Sequence, residues 1–189
     1  MTPGQIVVLN GQPRAGKSSI ARAIQDTFPG TWLALGVDLQ MQALPAALQP
    51  GIGLRPGGER PDLEPTIQRL YAGLFAAMAG YSRAGLNVVA DLGIHDDYSR
   101  PLGIGAAMHR TLTGLPLTVV GVTAPPAVIA ARRLATWHTL PEPAVLARWA
   151  NATAATPVDL WIDTEQTPAA QAAAVIRDWL RKHRGFELD

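Results

Sequence analysis

Five short apolar runs punctuate the chain, at residues 5–9, 32–37, 87–92, 117–123 and 160–163. Each is apolar at consecutive positions, the pattern of strands buried on both faces of a parallel sheet. Stretches of helical period lie between them. Residues 18–28 form the first. Residues 65–84 are the clearest, with Ile67, Leu70, Tyr71, Leu74, Phe75 and Met78 along one face and Gly85 where a C-terminal cap belongs. A weaker helix is predicted over 97–112, interrupted by Pro101 and two glycines. Thr167 and Pro168 read as N-cap and first residue of a last helix running to about His183, its apolar face Ala172, Val175, Ile176, Trp179 and Leu180. Alternation of this kind predicts an α/β fold, with a five-stranded parallel sheet flanked by helices in three layers and one domain over residues 1–189.

Two segments fall outside the alternation. Residues 44–63 are rich in proline and glycine and read as a long loop. Residues 124–154 hold helix-like pieces separated by Pro141 and Pro143, in the position of a lid over a site that must exclude water.

The turn after the first strand carries the chemistry. Gly11-Gln12-Pro13-Arg14-Ala15-Gly16-Lys17-Ser18 fills the pattern G-x-x-x-x-G-K-[ST], with an apolar strand before it and a helix start after it. Glycines let the backbone wrap an anion, and successive N–H groups with the helix N-terminus point at phosphates. Gly11, Arg14, Ala15, Gly16, Lys17, Ser18 and Ser19 are therefore the expected nucleotide contacts. Lys17 is expected at the β- and γ-phosphates, as a ligand residue facing solvent, and the Ser18 hydroxyl at Mg²⁺. The competing reading is an ordinary glycine turn.

Composition narrows the rest. Hydrophobic residues make up 48% and charged ones 16%, so a packed core is expected. A formal net charge of +1 gives no electrostatic case for nucleic acid or an anionic membrane as partner. Absence of cysteine excludes disulfides and thiolate metal sites. No apolar run approaches the roughly twenty residues that span a bilayer, and no secretory pattern precedes the first strand, so a cytoplasmic protein is expected.

Two acids stand at strand ends. Asp38 closes Leu35-Gly36-Val37-Asp38, on the edge where the phosphate loop lies and where open α/β sheets bind ligands. A carboxylate there can take the proton of an attacking hydroxyl, or it can cap a helix beginning near Leu39. Asp91 closes Val88-Val89-Ala90-Asp91 and is expected to hold Mg²⁺ or orient Ser18; a turn role is the alternative, with Asp96 and Asp97 as competitors. Arg132 and Arg133, with Arg148 further on, lie in the lid region, where a guanidinium suits a transferring phosphoryl group. A solvated helix face is the plainer reading. His109 and His183 read as surface residues, and His95 and His138 as candidate pocket residues.

These marks together resemble the chloramphenicol phosphotransferase family of antibiotic O-phosphotransferases. The resemblance runs from Leu9-Asn10-Gly11 with Ala15-Gly16-Lys17-Ser18, through Trp32 to Asp38 and Ala43-Leu44-Pro45, to Arg83-Ala84-Gly85, Val120-Gly121-Val122 and residues 159–164. It covers most of the chain. The phosphate loop alone specifies only nucleotide; Gly-Val-Asp followed by proline seven residues after the Asp is more diagnostic. The resemblance implies a P-loop kinase-like domain with a lid, in which Asp38 is the base that activates the acceptor hydroxyl. It matches Arg132 to one lid arginine, whereas Thr136 and Trp137-His138-Thr139 stand where others are expected. The implied activity moves the γ-phosphate of ATP or GTP, with Mg²⁺, onto a hydroxyl of chloramphenicol or a related antibiotic. A metabolic kinase acting on a sugar acid, a shikimate-like acid or a nucleoside is the alternative; Arg55 and Arg60 are the loop cations such an acceptor would use. A nucleotide-binding regulator without transfer chemistry is the third reading.

Overall fold

The computed structural model describes residues 2–49, 60–140 and 142–186. Its centre is β1 (Ile6–Asn10), buried at every position and flanked on both sides by parallel neighbours. Around it the strands take the order β2-β3-β1-β4-β5, with β2 Trp32–Gly36, β3 Asn87–Leu92, β4 Leu117–Thr123 and β5 Leu160–Asp163. All four pairings are parallel. Every predicted strand is present, within a residue at each end.

Alternate residues of each strand enter different layers, and both layers are apolar, which is why the runs lack a period of two. Ile6, Val8, Val88 and Ala90 pack beneath α3 (Glu64–Arg83) and α4 (Ile104–Thr111). Val7, Leu9, Val89 and Val120 pack against α1 (Lys17–Thr27) and α7 (Ala169–Arg184). On α3 five of the six predicted stripe residues are buried and Leu70 is half-buried; Ile67, Phe75 and Met78 are wholly inaccessible. Truncating Phe75 to alanine there would cost about 3–5 kcal/mol. The helix ends in a Schellman turn: Gly85 N–H donates to Ser82 O (2.9 Å) and Leu86 N–H to Tyr81 O (3.0 Å), with Gly85 at φ 80°.

Three boundaries differ from expectation. The helix predicted over 97–112 begins only at Ile104, because Pro101 interrupts it and Asp96 Oδ1 accepts the N–H groups of Gly103 (2.8 Å) and Ile104 (3.3 Å), capping a later start. Pro168 is itself the N-cap of α7, so the helix starts one residue later than the Thr-Pro pair implied. β2 stops at Gly36 and α2 (Val37–Gln42) begins at once. Within the predicted long loop, short 3-10 turns occupy Ala46–Leu48 and Pro61–Leu63; residues 50–59, Arg55 included, lie outside the described residues.

The predicted lid is a pair of helices, α5 (Pro126–Trp137) and α6 (Pro143–Ala154). Its far end is tied to the loop after β3. Arg148 forms a two-pronged ion pair with Asp97 (2.6 Å at each oxygen), and Thr156 Oγ1 donates to Ile94 O (3.1 Å). No described helix is long and apolar enough to cross a membrane.

Candidate active site

The phosphate loop and Asp91 lie at the C-terminal edge of the sheet, and Asp38 follows the end of β2 there. The phosphate loop leaves β1 at Gly11, where a Cβ would fall 2.1 Å from Val122 O of β4; only glycine lets the chain turn so close. At the other end Gly16 adopts φ 103°, a left-handed conformation, and serves as N-cap of α1.

Lys17 is buried, not solvent-facing as expected. Its ammonium folds back over the loop, donating to Gly11 O (2.9 Å) and Gln12 O (3.1 Å), and lies 3.5 Å from Asp91 Oδ1. Ser18 Oγ donates to Asp91 Oδ2 at 2.5 Å. Parallel register makes this contact possible, since Asp91 pairs with Leu9 next to the loop and with Gly36 on the other side. The competing acids are engaged elsewhere, Asp96 in capping α4 and Asp97 in pairing with Arg148. Among the described residues no group of three or more His, Cys, Asp or Glu is arranged to hold a metal. The donor set is one hydroxyl and one carboxylate, hard oxygen chemistry that fits Mg²⁺, which keeps several waters and shares its shell with phosphates.

Asp38 does not close β2. It is the second residue of α2, exposed, with Gly36 holding the N-cap, so capping does not account for it. An acid in a first turn still gains from the helix dipole. It lines one cavity together with Gly11, Lys17, Ser18 and Asp91. Val37, Met41, Tyr71, Trp137 and Trp149 line this cavity as well, with Arg14 and Thr153 among its polar lining. His95 also lines it, buried and stacked on Tyr98 at 4.5 Å; its Nδ1 accepts the Asp97 N–H (3.1 Å), so the neutral ring carries its proton on Nε2. His138 is exposed at the end of α5, and His109 and His183 lie at the surface as expected.

A second cavity opens on the other side of the loop, lined by Gly16, Ser19, Arg132, Thr136, Thr167 and Pro168. Arg132 lines this cavity and not the one holding Asp38. Its guanidinium donates to Thr164 Oγ1 (2.8 Å), Thr164 O (3.0 Å) and Arg14 O (3.3 Å). Thr164 Oγ1 in turn donates to Ala15 O (2.7 Å). Ala15 lies wholly buried beneath the loop with its N–H on Gln12 O (3.2 Å) and lines neither cavity. Arg60 pairs with its neighbour Asp62 (2.7 Å), both exposed. Sequence reasoning gave no site role to Thr164, Tyr71 or Trp149, and marked Trp137 only as standing where a lid arginine was expected. Thr164 had a usable signal, following β5 at the same sheet edge; Tyr71 was legible only as part of the apolar face of α3, and nothing local marks Trp149 as a wall of the cavity.

A parallel 2-3-1-4-5 sheet with a phosphate loop after its central strand defines a P-loop nucleotide-binding fold of the kinase type. The chain belongs to the chloramphenicol phosphotransferase-like protein family, whose pattern it matches over residues 4–181. It is 31% identical over 105 residues to proteins of two Mycobacterium tuberculosis strains that are named, provisionally, O-phosphotransferases. That match takes in 48% of this chain and 47% of theirs, so the chain aligns with about half the length of these curated relatives. Among solved structures, it shares its fold with the Deinococcus radiodurans tunicamycin resistance protein (TM-score 0.65, 19% identity, 94% of this chain and 95% of that one). The Mycobacterium tuberculosis APS kinase in complex with AMPPNP and APS is similar at TM-score 0.67 and 13% identity, over 96% and 99% of the two chains.

Proposed function

We propose that the protein is an O-phosphotransferase that moves the γ-phosphate of ATP or GTP onto a hydroxyl of a neutral, antibiotic-like small molecule. One observation carries this reading: the Lys17–Ser18–Asp91 cluster and the carboxylate of Asp38, which has no hydrogen-bond partner among the described residues, open onto the same cavity, which the rings of Tyr71, Trp137 and Trp149 also line. Donor and acceptor would meet across the phosphate loop, nucleotide on the Arg132 side and acceptor on the Asp38 side. Asp38 takes the proton of the acceptor hydroxyl as its oxygen bonds to the γ-phosphorus. The bond from that phosphorus to the bridging oxygen breaks, and its electron pair leaves with the nucleoside diphosphate. Lys17 neutralises charge on the β- and γ-phosphates. Ser18 and Asp91 would hold Mg²⁺, which supplies further charge neutralisation when bound. Arg132, fixed by Thr164, contacts the nucleotide.

The rings and Met41 along the cavity favour a neutral acceptor over a sugar acid or shikimate-like anion, which needs cations of its own: the cations that line the cavity, Lys17 and Arg14, belong to the phosphate loop, and Arg60 is turned onto Asp62. Family membership and the tunicamycin resistance protein's fold likeness support an antibiotic as the acceptor class. The test is a phosphotransfer screen of purified protein with MgATP and MgGTP against chloramphenicol, tunicamycin, hygromycin A, capuramycin-type nucleosides and common metabolites. Products are read by mass. A phosphorylated neutral antibiotic is the expected result; transfer only to anionic metabolites overturns the acceptor assignment, and no transfer with tight nucleotide binding favours a regulator.

A further inference from the structure

Resting on that reading, we propose that Arg14, carried by the phosphate loop itself, is the arginine that binds the transferring phosphoryl group, and that Trp137 of the lid aims it. Three residues line both cavities: Lys17, Ser18 and Arg14. A group that passes from nucleotide to acceptor passes them. All three are among the loop's expected nucleotide contacts; Lys17 is expected at the β- and γ-phosphates and Ser18 at Mg²⁺, and Arg14 is the second cation at the crossing.

Its surroundings point the same way. The Arg14 side chain makes no hydrogen bond or ion pair among the described residues, and its Nε is buried without an acceptor. A buried donor left unmet is an exception that calls for a partner absent from the folded chain. Its guanidinium carbon lies 4.3 Å from the Trp137 ring centroid. A contact through the π face of the indole takes up none of the guanidinium's hydrogen-bond donors, and the terminal N–H groups, which are not buried, stay open for phosphate oxygens. Backbone geometry agrees. Arg14 holds φ 67°, a left-handed conformation that a side-chain-bearing residue keeps only when its surroundings enforce it, and its carbonyl is gripped by Arg132. The lid arginine thus supports the loop arginine. Trp137 is fixed in turn by Arg133, whose guanidinium carbon lies 4.2 Å from the same centroid. During transfer the Arg14 donors meet the equatorial oxygens of the phosphoryl group while the acceptor–phosphorus bond forms and the bridging bond breaks, the proton going to Asp38 as above.

The test needs no identified acceptor. MgADP binding is measured by calorimetry with and without aluminium fluoride, and phosphate release from MgATP is measured with water as acceptor. Arg14→Ala should bind MgADP within about threefold of wild type, lose most of the affinity added by aluminium fluoride, and slow phosphate release about 100-fold. Arg14→Lys, which keeps the charge and loses the fork, should fall between. Trp137→Ala should lower phosphate release about tenfold and Trp137→Phe should restore it, which a merely structural role would not require. An increment in wild type that survives in both Arg14 variants and vanishes in Arg132→Ala overturns the assignment of Arg14 alone. Equal losses with and without aluminium fluoride in the Arg14 variants also overturn it, making Arg14 a ground-state contact. A wild-type protein that gains nothing from aluminium fluoride overturns the phosphotransfer reading, and Arg14's role with it.

Discussion

The two sides of the phosphate loop are built by different means. On the Arg132 side, contacts run largely to backbone: Arg132 holds the carbonyls of Thr164 and Arg14, and the Thr164 hydroxyl holds Ala15 O. On the Asp38 side the walls are side chains from α2, α3, α5 and α6, with a single exposed carboxylate among rings. Backbone recognition needs only the right chain path, so it suits a donor whose phosphates are always the same. Side-chain recognition depends on residue identity, so it suits an acceptor that must be singled out.

The sharpest way to break the comparison is at the residue shared by both sides. Lys17→Ala should abolish measurable transfer. It should also lower the thermal midpoint by about 2–8 °C, because Asp91 and two loop carbonyls lose their partner in a structure of this size. Near wild-type transfer would mean that the loop is not the phosphate site. Asp38→Asn comes next: turnover should fall at least about 100-fold while MgATP affinity in calorimetry is unchanged. Weaker nucleotide binding with unchanged turnover would move Asp38 to the metal.

Arg132→Ala sharpens the contrast from the other side. The sequence-based expectation for a lid arginine is a loss in turnover; with its guanidinium held by Thr164, the expected effect is about a tenfold rise in nucleotide Kd. The smallest change is Tyr98→Phe. The Tyr98 hydroxyl is buried without a hydrogen-bond partner among the described residues, and burial pushes its pKa well above 10.0. Removing it should leave stability unchanged or raise it by up to about 1 kcal/mol. The raised pKa means that the folded state keeps the phenol neutral after the unfolded chain ionises. Wild type should therefore lose stability as pH rises past about 10, and Tyr98→Phe should lose less over the same range in denaturant titrations.

The strands were legible because a parallel strand buried on both faces leaves an unbroken apolar run, as in Ile6-Val7-Val8-Leu9. The phosphate loop was legible because its chemistry is local and contiguous. Contacts between distant segments were not. Thr164 follows β5 at the right sheet edge, yet nothing announces that Arg132, 32 residues earlier, would grip it, and nothing in Asp97 announces its pairing with Arg148. Asp38 was found through its neighbours and the family resemblance, yet its placement in a helix turn rather than at a strand end depended on Gly36 ending β2. Lys17 looked solvent-facing because a lone lysine in a loop usually is; its burial depends on Asp91 arriving from another strand.

Trp137 and Trp149 also have an optical consequence. Of the five tryptophans, these two line the candidate acceptor cavity, whereas Trp32, Trp161 and Trp179 stand outside both cavities. Anything that enters beside them replaces water against two indoles, and charge moving near Arg14 alters the field across one of them. The protein carries its own fluorophores in the candidate site. Substituting the exposed Trp161 would remove part of the background emission without touching the walls of that cavity, enlarging the share of the signal that reports occupancy.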